Sequence, residues 1–278
     1  MLSTTTVRYR SVKMAVFRSD PCGIVCLIIT YAAVLYADYV VVRHLVIPTM
    51  SDTLWGVVNV VAFNVIIFLL TMSHMRAVVS DPGIVPLPTT GLDFSDLHAG
   101  KTMPNMRDGW TVCMKCETYR PPRAHHCRIC RRCIRRMDHH CPWINNCVGE
   151  FNQKYFIQFL FYVGILSAYA TTMVVVSWMM DPGVKGNGKH VKLIHSVLLV
   201  VESLLFGMFV IAIGCDQMGA ILSDETAVEQ VKKAGPRRQK KSSYALMQEV
   251  FGRGHPCWWL IPLQFNPVVQ VYETQYTV

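Results

Sequence analysis

Residues 137–143 read MDHHCPW, and three kinds of reactive group stand side by side in this stretch. Cys141 directly follows two imidazoles, His139 and His140, with the carboxylate of Asp138 three residues before it. A carboxylate orients and charges an imidazole, and that imidazole can deprotonate a thiol, which is what nucleophilic catalysis needs. Cations nearby favour the thiolate further. Pro142 breaks any helix at this point and sets a turn. The same cysteine also suits a metal, so catalysis and ligation compete for Cys141.

The surrounding stretch, 113–147, holds seven of the chain's 11 cysteines together with His125, His126, His139 and His140. Cys113 and Cys116, Cys127 and Cys130, and Cys130 and Cys133 are each separated by two residues. That spacing lets two thiolates grip one tetrahedral zinc without strain. An odd cluster of thiols mixed with histidines points to metal in a reduced compartment rather than to disulfides. Two closed zinc sites take eight ligands. Six cysteines and two histidines supply them and leave one cysteine and two histidines over. Counting does not say which cysteine is spare. The neighbours of Cys141 favour it, and ligation by Cys141 is the alternative.

These residues need a scaffold, and the rest of the 278-residue chain is oily: 52% is hydrophobic. A membrane span needs roughly 20 mostly apolar residues. Four stretches qualify, at about 22–43, 54–74, 155–179 and 193–214. The first is too long for a signal-peptide core and has no cleavage-site pattern, so it is read as retained. Basic residues cluster before the first span (Arg8, Arg10, Lys13, Arg18), between 77 and 153, and after 219, and the loop at 46–53 has none. The positive-inside rule then puts both termini and the cysteine-rich stretch in the cytosol, in agreement with the redox argument. The net charge of +9 fits anionic lipid or an anionic ligand, and the spans argue against nucleic acid.

The fold class expected is an all-α integral membrane protein. It has four transmembrane helices and a cytosolic zinc-binding cysteine-rich domain between helices 2 and 3. The divisions are an N-terminal segment (1–21), helices 1 and 2 (22–76), the cysteine-rich domain (77–153), helices 3 and 4 (154–218) and a C-terminal tail (219–278). Polar residues inside the spans are Asp38, Asn59, Asn64, His195 and Glu202. Interhelical hydrogen bonding accounts for such residues, and a function is the alternative. Asp-Pro-Gly occurs at 81–83 and 181–183, each time just after a span, where it would end a helix.

At Asp138-His139-His140-Cys141 the chain resembles the DHHC family of protein S-acyltransferases, or palmitoyltransferases. Pro121, Arg123, His126, Cys127, Pro142, Trp143, Asn146, Cys147, Gly149, Asn152 and Phe156 stand at the family's spacing, as does Asp81-Pro82-Gly83 after the second span. The stretches DPCGIVC and SDETAVEQVKK are similar to the Golgi-resident subgroup, which lacks ankyrin repeats. Two positions depart. The family's Thr-Thr-x-Glu appears as Thr226-Ala227-Val228-Glu229, which leaves Thr226 alone to support the active-site Asp. Leu246 stands where an Asn usually precedes Val250-Phe251-Gly252.

The resemblance implies two structural zinc ions. One is held by Cys113, Cys116, His126 and Cys133, the other by Cys127, Cys130, His140 and Cys147. It makes Cys141 the nucleophile, His139 the general base and Asp138 the residue that polarises it. The implied reaction is ping-pong: a long-chain acyl group, mainly palmitoyl, moves from acyl-CoA to Cys141 and then to a cysteine of a substrate protein, cytosolic or juxtamembrane. Trp143, Leu166 and Arg123 are the residues expected to meet acyl-CoA, with Leu166 at the closed end of an acyl cavity. Arg131, Arg132, Arg135 and Arg136 are further cations for CoA phosphates or anionic lipid headgroups. A Golgi membrane follows from the subgroup. The terminal Tyr276-Thr277-Val278 also suits strand addition to a PDZ-domain partner, with a frayed tail as the alternative.

Overall fold

The computed structural model describes residues 19–87, 110–180, 187–233 and 241–263. The first basic cluster, the second Asp-Pro-Gly and the terminal Tyr276, Thr277 and Val278 lie outside the described residues.

Among the described residues, four helices are long and apolar enough to cross a membrane, as the hydropathy predicts. The first span, Pro21–Met50, joins α1 (Pro21–Tyr39), a π-helical stretch (Val40–Val46) and α2 (Ile47–Met50). The Asp20 carboxylate accepts the Gly23 N–H at 3.1 Å, and Pro21 sits where no N–H is needed, so the sequence itself starts this helix. The other spans are α3 (Leu54–Val79), α4 (Gln153–Met180) and α5 (Asn187–Leu222). Ile28, Leu35, Val57, Phe68 and Ile211 are exposed on these helices, as expected of faces that meet lipid rather than water. The chain is a multi-pass membrane protein.

Helix α4 packs between α3 and α5. Four of the five polar residues in the spans tie helices together. Asn64 Nδ2 donates to Asp38 Oδ1 at 3.2 Å, Tyr169 donates its hydroxyl to Asn59 Oδ1 at 2.6 Å, and the Tyr36 hydroxyl lies 3.0 Å from His195 Nδ1. Helix α5 runs past the expected end at 214 and carries Gln217 out of the bundle to the cysteine-rich domain.

Among the described residues, that domain forms three short antiparallel hairpins. They pair β1 (Thr111–Cys113) with β2 (Thr118–Arg120), β3 (His125–Cys127) with β4 (Arg132–Ile134), and β5 (His139–Cys141) with β6 (Asn146–Val148). Asp81-Pro82-Gly83 does more than end α3. The Asp81 carboxylate accepts the N–H groups of Gly83 and Ile84, and the following backbone pairs with Cys133 and Arg135 at 2.8 Å each. Gly83 has φ of 105°, and a Cβ on Gly149 would stand 2.3 Å from the Pro82 carbonyl oxygen, so both positions require glycine. The Asn146 side chain donates to the carbonyls of Ala77, Val78 and Ser80, and Asn152 donates to Ala77. These amides satisfy the open C-terminal end of α3 and bolt the hairpins beneath it.

The tail contains α6 (Ala227–Val231), α7 (Ser243–Phe251) and a 3₁₀ turn at Pro256–Trp259. Lys154, Gln158 and Tyr162, one turn apart on α4, donate to the carbonyls of Leu263, Ile261 and Leu260. Leu246 is buried on α7, so an apolar contact replaces whatever a polar side chain would make there.

Candidate functional site

The hairpins bring two sets of donors together. Cys113, Cys116, His126 and Cys133 form one, and Cys127, Cys130, His140 and Cys147 the other, with all donor atoms of a set within 4.8 Å of each other. In the first, Cys113 Sγ and Cys116 Sγ lie 3.6 and 3.2 Å from His126 Nδ1. In the second, Cys127, Cys130 and Cys147 Sγ lie 3.8, 3.4 and 3.6 Å from His140 Nδ1. A tetrahedral zinc with bonds of 2.0–2.3 Å would set neighbouring donors about 3.4–3.8 Å apart, so both sets fit it. Each has four donors and needs no solvent ligand, which is the pattern of a structural site.

The hairpin β5–β6 separates the two adjacent histidines. In its register His140 faces Cys147, while His139 faces Val148 and Cys141 faces Asn146. Side chains alternate along a strand, so His140 and Cys147 turn to the metal side while His139 and Cys141 turn to the other. Cys141 is buried, and it belongs to the apolar cluster of the membrane helices with Phe156, Phe159 and Leu160. Cys127, Cys130 and Cys147 belong to a different cluster.

Asp138 holds His139 by a 2.7 Å bond from Nδ1–H to Oδ2, which leaves the other ring nitrogen available to a thiol. Burial disfavours the imidazolium, but the bonds to Asp138 and Cys141 outweigh it and lift the His139 pKa to about 9. Asp138 is itself buried, which disfavours its charge. Bonds from His139, the Ala227 amide and Gln217 prevail and hold the carboxyl below its usual value. The amide donates at 2.8 Å and Gln217 Nε2 at 2.7 Å.

Two expectations are corrected here. Thr226 does not offer its hydroxyl to Asp138. It caps α6, where its Oγ1 accepts the Glu229 N–H while the Glu229 carboxylate accepts the Thr226 N–H at 2.9 Å. The cap aims the Ala227 amide at Asp138, and a backbone donor needs no particular side chain at that position. Arg123 does not wait for phosphate. Its guanidinium donates to Glu229 and Asp224 at 2.8 Å and is committed to the tail. Arg136 pairs with Asp224 and Glu249 in the same way. His125, left over by the ligand count, lies 3.1 Å from Lys232 Nζ.

Above Cys141 a cavity of about 260 Å³ opens between α1, α4 and α5. Its walls include His139, Trp143, Leu166, Ala170 and Glu202. The Trp143 ring stands edge-on to Phe206, and its carbonyl accepts the Nε2–H of His74 at 3.0 Å. His74 and Gln217 were not singled out in the sequence. One is a lone histidine in a span and the other a lone glutamine after one, and neither carries a motif.

A mostly apolar slot that ends at a thiol and an imidazole, with a carboxylate behind the imidazole, suits a fatty acyl thioester. The sequence profile of the DHHC palmitoyltransferase family matches residues 107–234. Palmitoyltransferase ZDHHC3 of Homo sapiens is 39% identical over 269 residues, covering 94% of this chain and 88% of its own. The chain belongs to the DHHC palmitoyltransferase family. Palmitoyltransferase ZDHHC7 of Mus musculus is 36% identical, with 88% of this chain and 80% of its own covered. Probable protein S-acyltransferase 14 of Arabidopsis thaliana is 29% identical, with 84% and 80% covered. This DHHC enzyme is therefore a protein S-acyltransferase that draws on acyl-CoA, and its two Cys/His sets can each hold a zinc ion.

Proposed function

We propose that Cys141 carries the acyl group between acyl-CoA and the substrate protein. The observation that supports this best is the turn of Cys141 away from both metal sets and onto the cavity, beside His139. The Cys141 thiolate attacks the thioester carbonyl of acyl-CoA, the bond to the CoA sulfur breaks, and CoA leaves as its thiol with the proton held by His139. A substrate cysteine then gives its proton to His139 and attacks the acyl-Cys141 thioester, and Cys141 is released. Both steps exchange one thioester for another, so positioning and thiolate activation carry the catalysis. Asp138 orients and charges His139, and Gln217 with the Ala227 amide orients Asp138.

The chain lies along Trp143 and Leu166, where each buried methylene contributes about 0.8 kcal/mol. Leu166 limits its length. The CoA phosphates take Arg131 and Arg128, which border a surface pocket with Ser19 and Asp20. The two zinc ions hold a domain too poor in apolar residues to order itself. Cys113, Cys116, His126 and Cys133 bind one, and Cys127, Cys130, His140 and Cys147 the other. Both termini and this domain face the cytosol, supported by the basic residues around them. A Golgi membrane is supported by the similarity to the Golgi-type subgroup. A PDZ partner at Val278 rests on the terminal pattern alone, and deleting Val278 should abolish capture by a PDZ panel while leaving acylation unchanged.

The deciding experiment incubates purified protein with labelled palmitoyl-CoA and maps the hydroxylamine-labile label. It should fall on the peptide that carries Cys141 and disappear in Cys141→Ser with two zinc ions per chain retained. Loss of one zinc on that substitution would make Cys141 a ligand and overturn the proposal.

A further inference from the structure

One buried imidazole has no part in the proposed transfer. His74 on α3 is fully buried and is not among the residues that line the cavity. Its ring is bonded at both nitrogens. Nε2–H donates to the Trp143 carbonyl at 3.0 Å, and Nδ1 lies 2.9 Å from the Tyr31 hydroxyl on α1. A carbonyl only accepts, so the one hydrogen of the neutral ring is on Nε2, and the bare Nδ1 accepts from Tyr31. The ring also packs on Phe159 of α4, with centroids 4.6 Å apart, and meets the Tyr31 ring edge-on at 5.2 Å. Phe159 and Trp143 both line the cavity. A single side chain thus joins α1, α3, α4 and the turn Pro142–Ile144 that follows Cys141.

That turn depends on its surroundings. It is three residues long, and the bond that closes it runs from the Asn145 N–H to the Pro142 carbonyl at 3.0 Å. The Trp143 carbonyl takes its hydrogen from His74 instead. The Trp143 ring stands against Phe206 and Phe209 of α5. Helix α1 packs on the same turn, so closely that a Cβ on Gly23 would stand 2.2 Å from Asn145 Oδ1. About two helical turns farther on, α1 presents Tyr31 to His74.

We propose that His74, held by Tyr31, is a positioning residue for acyl transfer: it fixes the Trp143 carbonyl and through it the place of the Cys141 sulfur at the foot of the cavity. This rests on Cys141 as the acyl carrier. Trp143 is two residues from Cys141, so a shift of one moves the other. The sulfur must meet a thioester carbonyl to gain the chain and present one to yield it, and a misplacement of about 1 Å can cost on the order of a hundredfold in rate. Tyr31 acts one step farther back. Its hydroxyl on Nδ1 keeps the hydrogen on Nε2, whereas the opposite tautomer would set a lone pair against the carbonyl oxygen. Leucine at position 74 would fill apolar space and offer no hydrogen. A glutamine amide both donates and accepts, as the imidazole does.

The test compares His74→Leu, His74→Gln and Tyr31→Phe with wild type, as full-length protein in detergent. Single-turnover acylation of Cys141 is followed over a range of labelled palmitoyl-CoA concentrations, with zinc content and melting temperature measured on the same samples. His74→Leu should lower the maximal rate roughly ten- to a hundredfold, with the concentration for half that rate little changed and two zinc ions retained. His74→Gln should recover most of the rate. Tyr31→Phe keeps the ring packing and should lose less, about a few-fold. A merely structural role would instead lower the melting temperature and leave the maximal rate per folded, zinc-loaded molecule at the wild-type level. That result would overturn the inference, as would a glutamine variant no faster than the leucine one. If neither His74 variant folds, a wild-type rate in Tyr31→Phe would overturn it. Wild-type Cys141 that takes no label would instead overturn the proposed function beneath it.

Discussion

The two faces of the β5–β6 hairpin are built from the same residue types and end in different chemistry. On one face His140 and Cys147 close a four-donor set with Cys127 and Cys130. On the other His139 and Cys141 look into an apolar cavity with Asp138 behind them. An imidazole and a thiol occur on both. On the metal face two more thiols complete the set. On the cavity face a buried carboxylate fixes one ring nitrogen and leaves the other for the thiol. Neighbours therefore decide whether a Cys–His pair holds an ion or does chemistry, and strand alternation lets adjacent residues live in both settings.

The sharpest way to break this comparison is to delete one sulfur from each face. Cys141→Ser should remove all measurable acyl label and leave zinc content and thermal stability unchanged. Cys147→Ala should lose a zinc, measured by atomic emission, and lose activity only because the domain unravels. The histidines should divide in the same manner. His139→Ala should slow acylation by about 10²–10⁴-fold in a single-turnover assay, the range for a lost general base, with zinc retained. His140→Ala should cost zinc. Similar zinc contents in the two variants would erase the distinction between the faces.

A smaller effect sharpens the role of the carboxylate. Gln217→Leu removes one of three donors to Asp138 and leaves the metal face intact. A hydrogen bond to a charged group contributes about 1.5–3 kcal/mol, so acylation should slow roughly tenfold or more. The His139 pKa should rise with it, because Asp138 Oδ2, relieved of the Gln217 donor, becomes a stronger partner for the imidazolium. A rate profile that begins to change at higher pH than in wild type would show this, whereas a purely structural role would lower the yield of folded protein and leave the profile in place. The smallest effect concerns the cavity alone. Leu166→Ala should raise the use of eighteen- relative to sixteen-carbon acyl-CoA by several-fold, from about 0.8 kcal/mol per methylene accommodated. An unchanged ratio in direct competition would place the chain elsewhere.

Much of this was legible in the chain. Four apolar stretches of the right length dictated the membrane spans, because a backbone in lipid must satisfy its own hydrogen bonds and a helix does so locally. The C-x-x-C steps dictated metal, because that spacing presets two sulfurs for one ion. Ligand arithmetic dictated one spare cysteine. These are local properties, set by residues close in sequence.

What only the tertiary structure decided lies in contacts between distant segments. Gln217 reaches Asp138 because α5 continues beyond the bundle, and nothing about a lone glutamine announces that. Arg123 has the charge for a phosphate, yet it is committed to Glu229 and Asp224, about a hundred residues away. The Thr226 hydroxyl turns inward to its own helix while the next backbone amide supports Asp138. Charge, hydroxyl and amide are written in the sequence, but their partners are not. A side chain has a handful of rotamers and many candidate partners, and only the packing of segments far apart in the chain selects one.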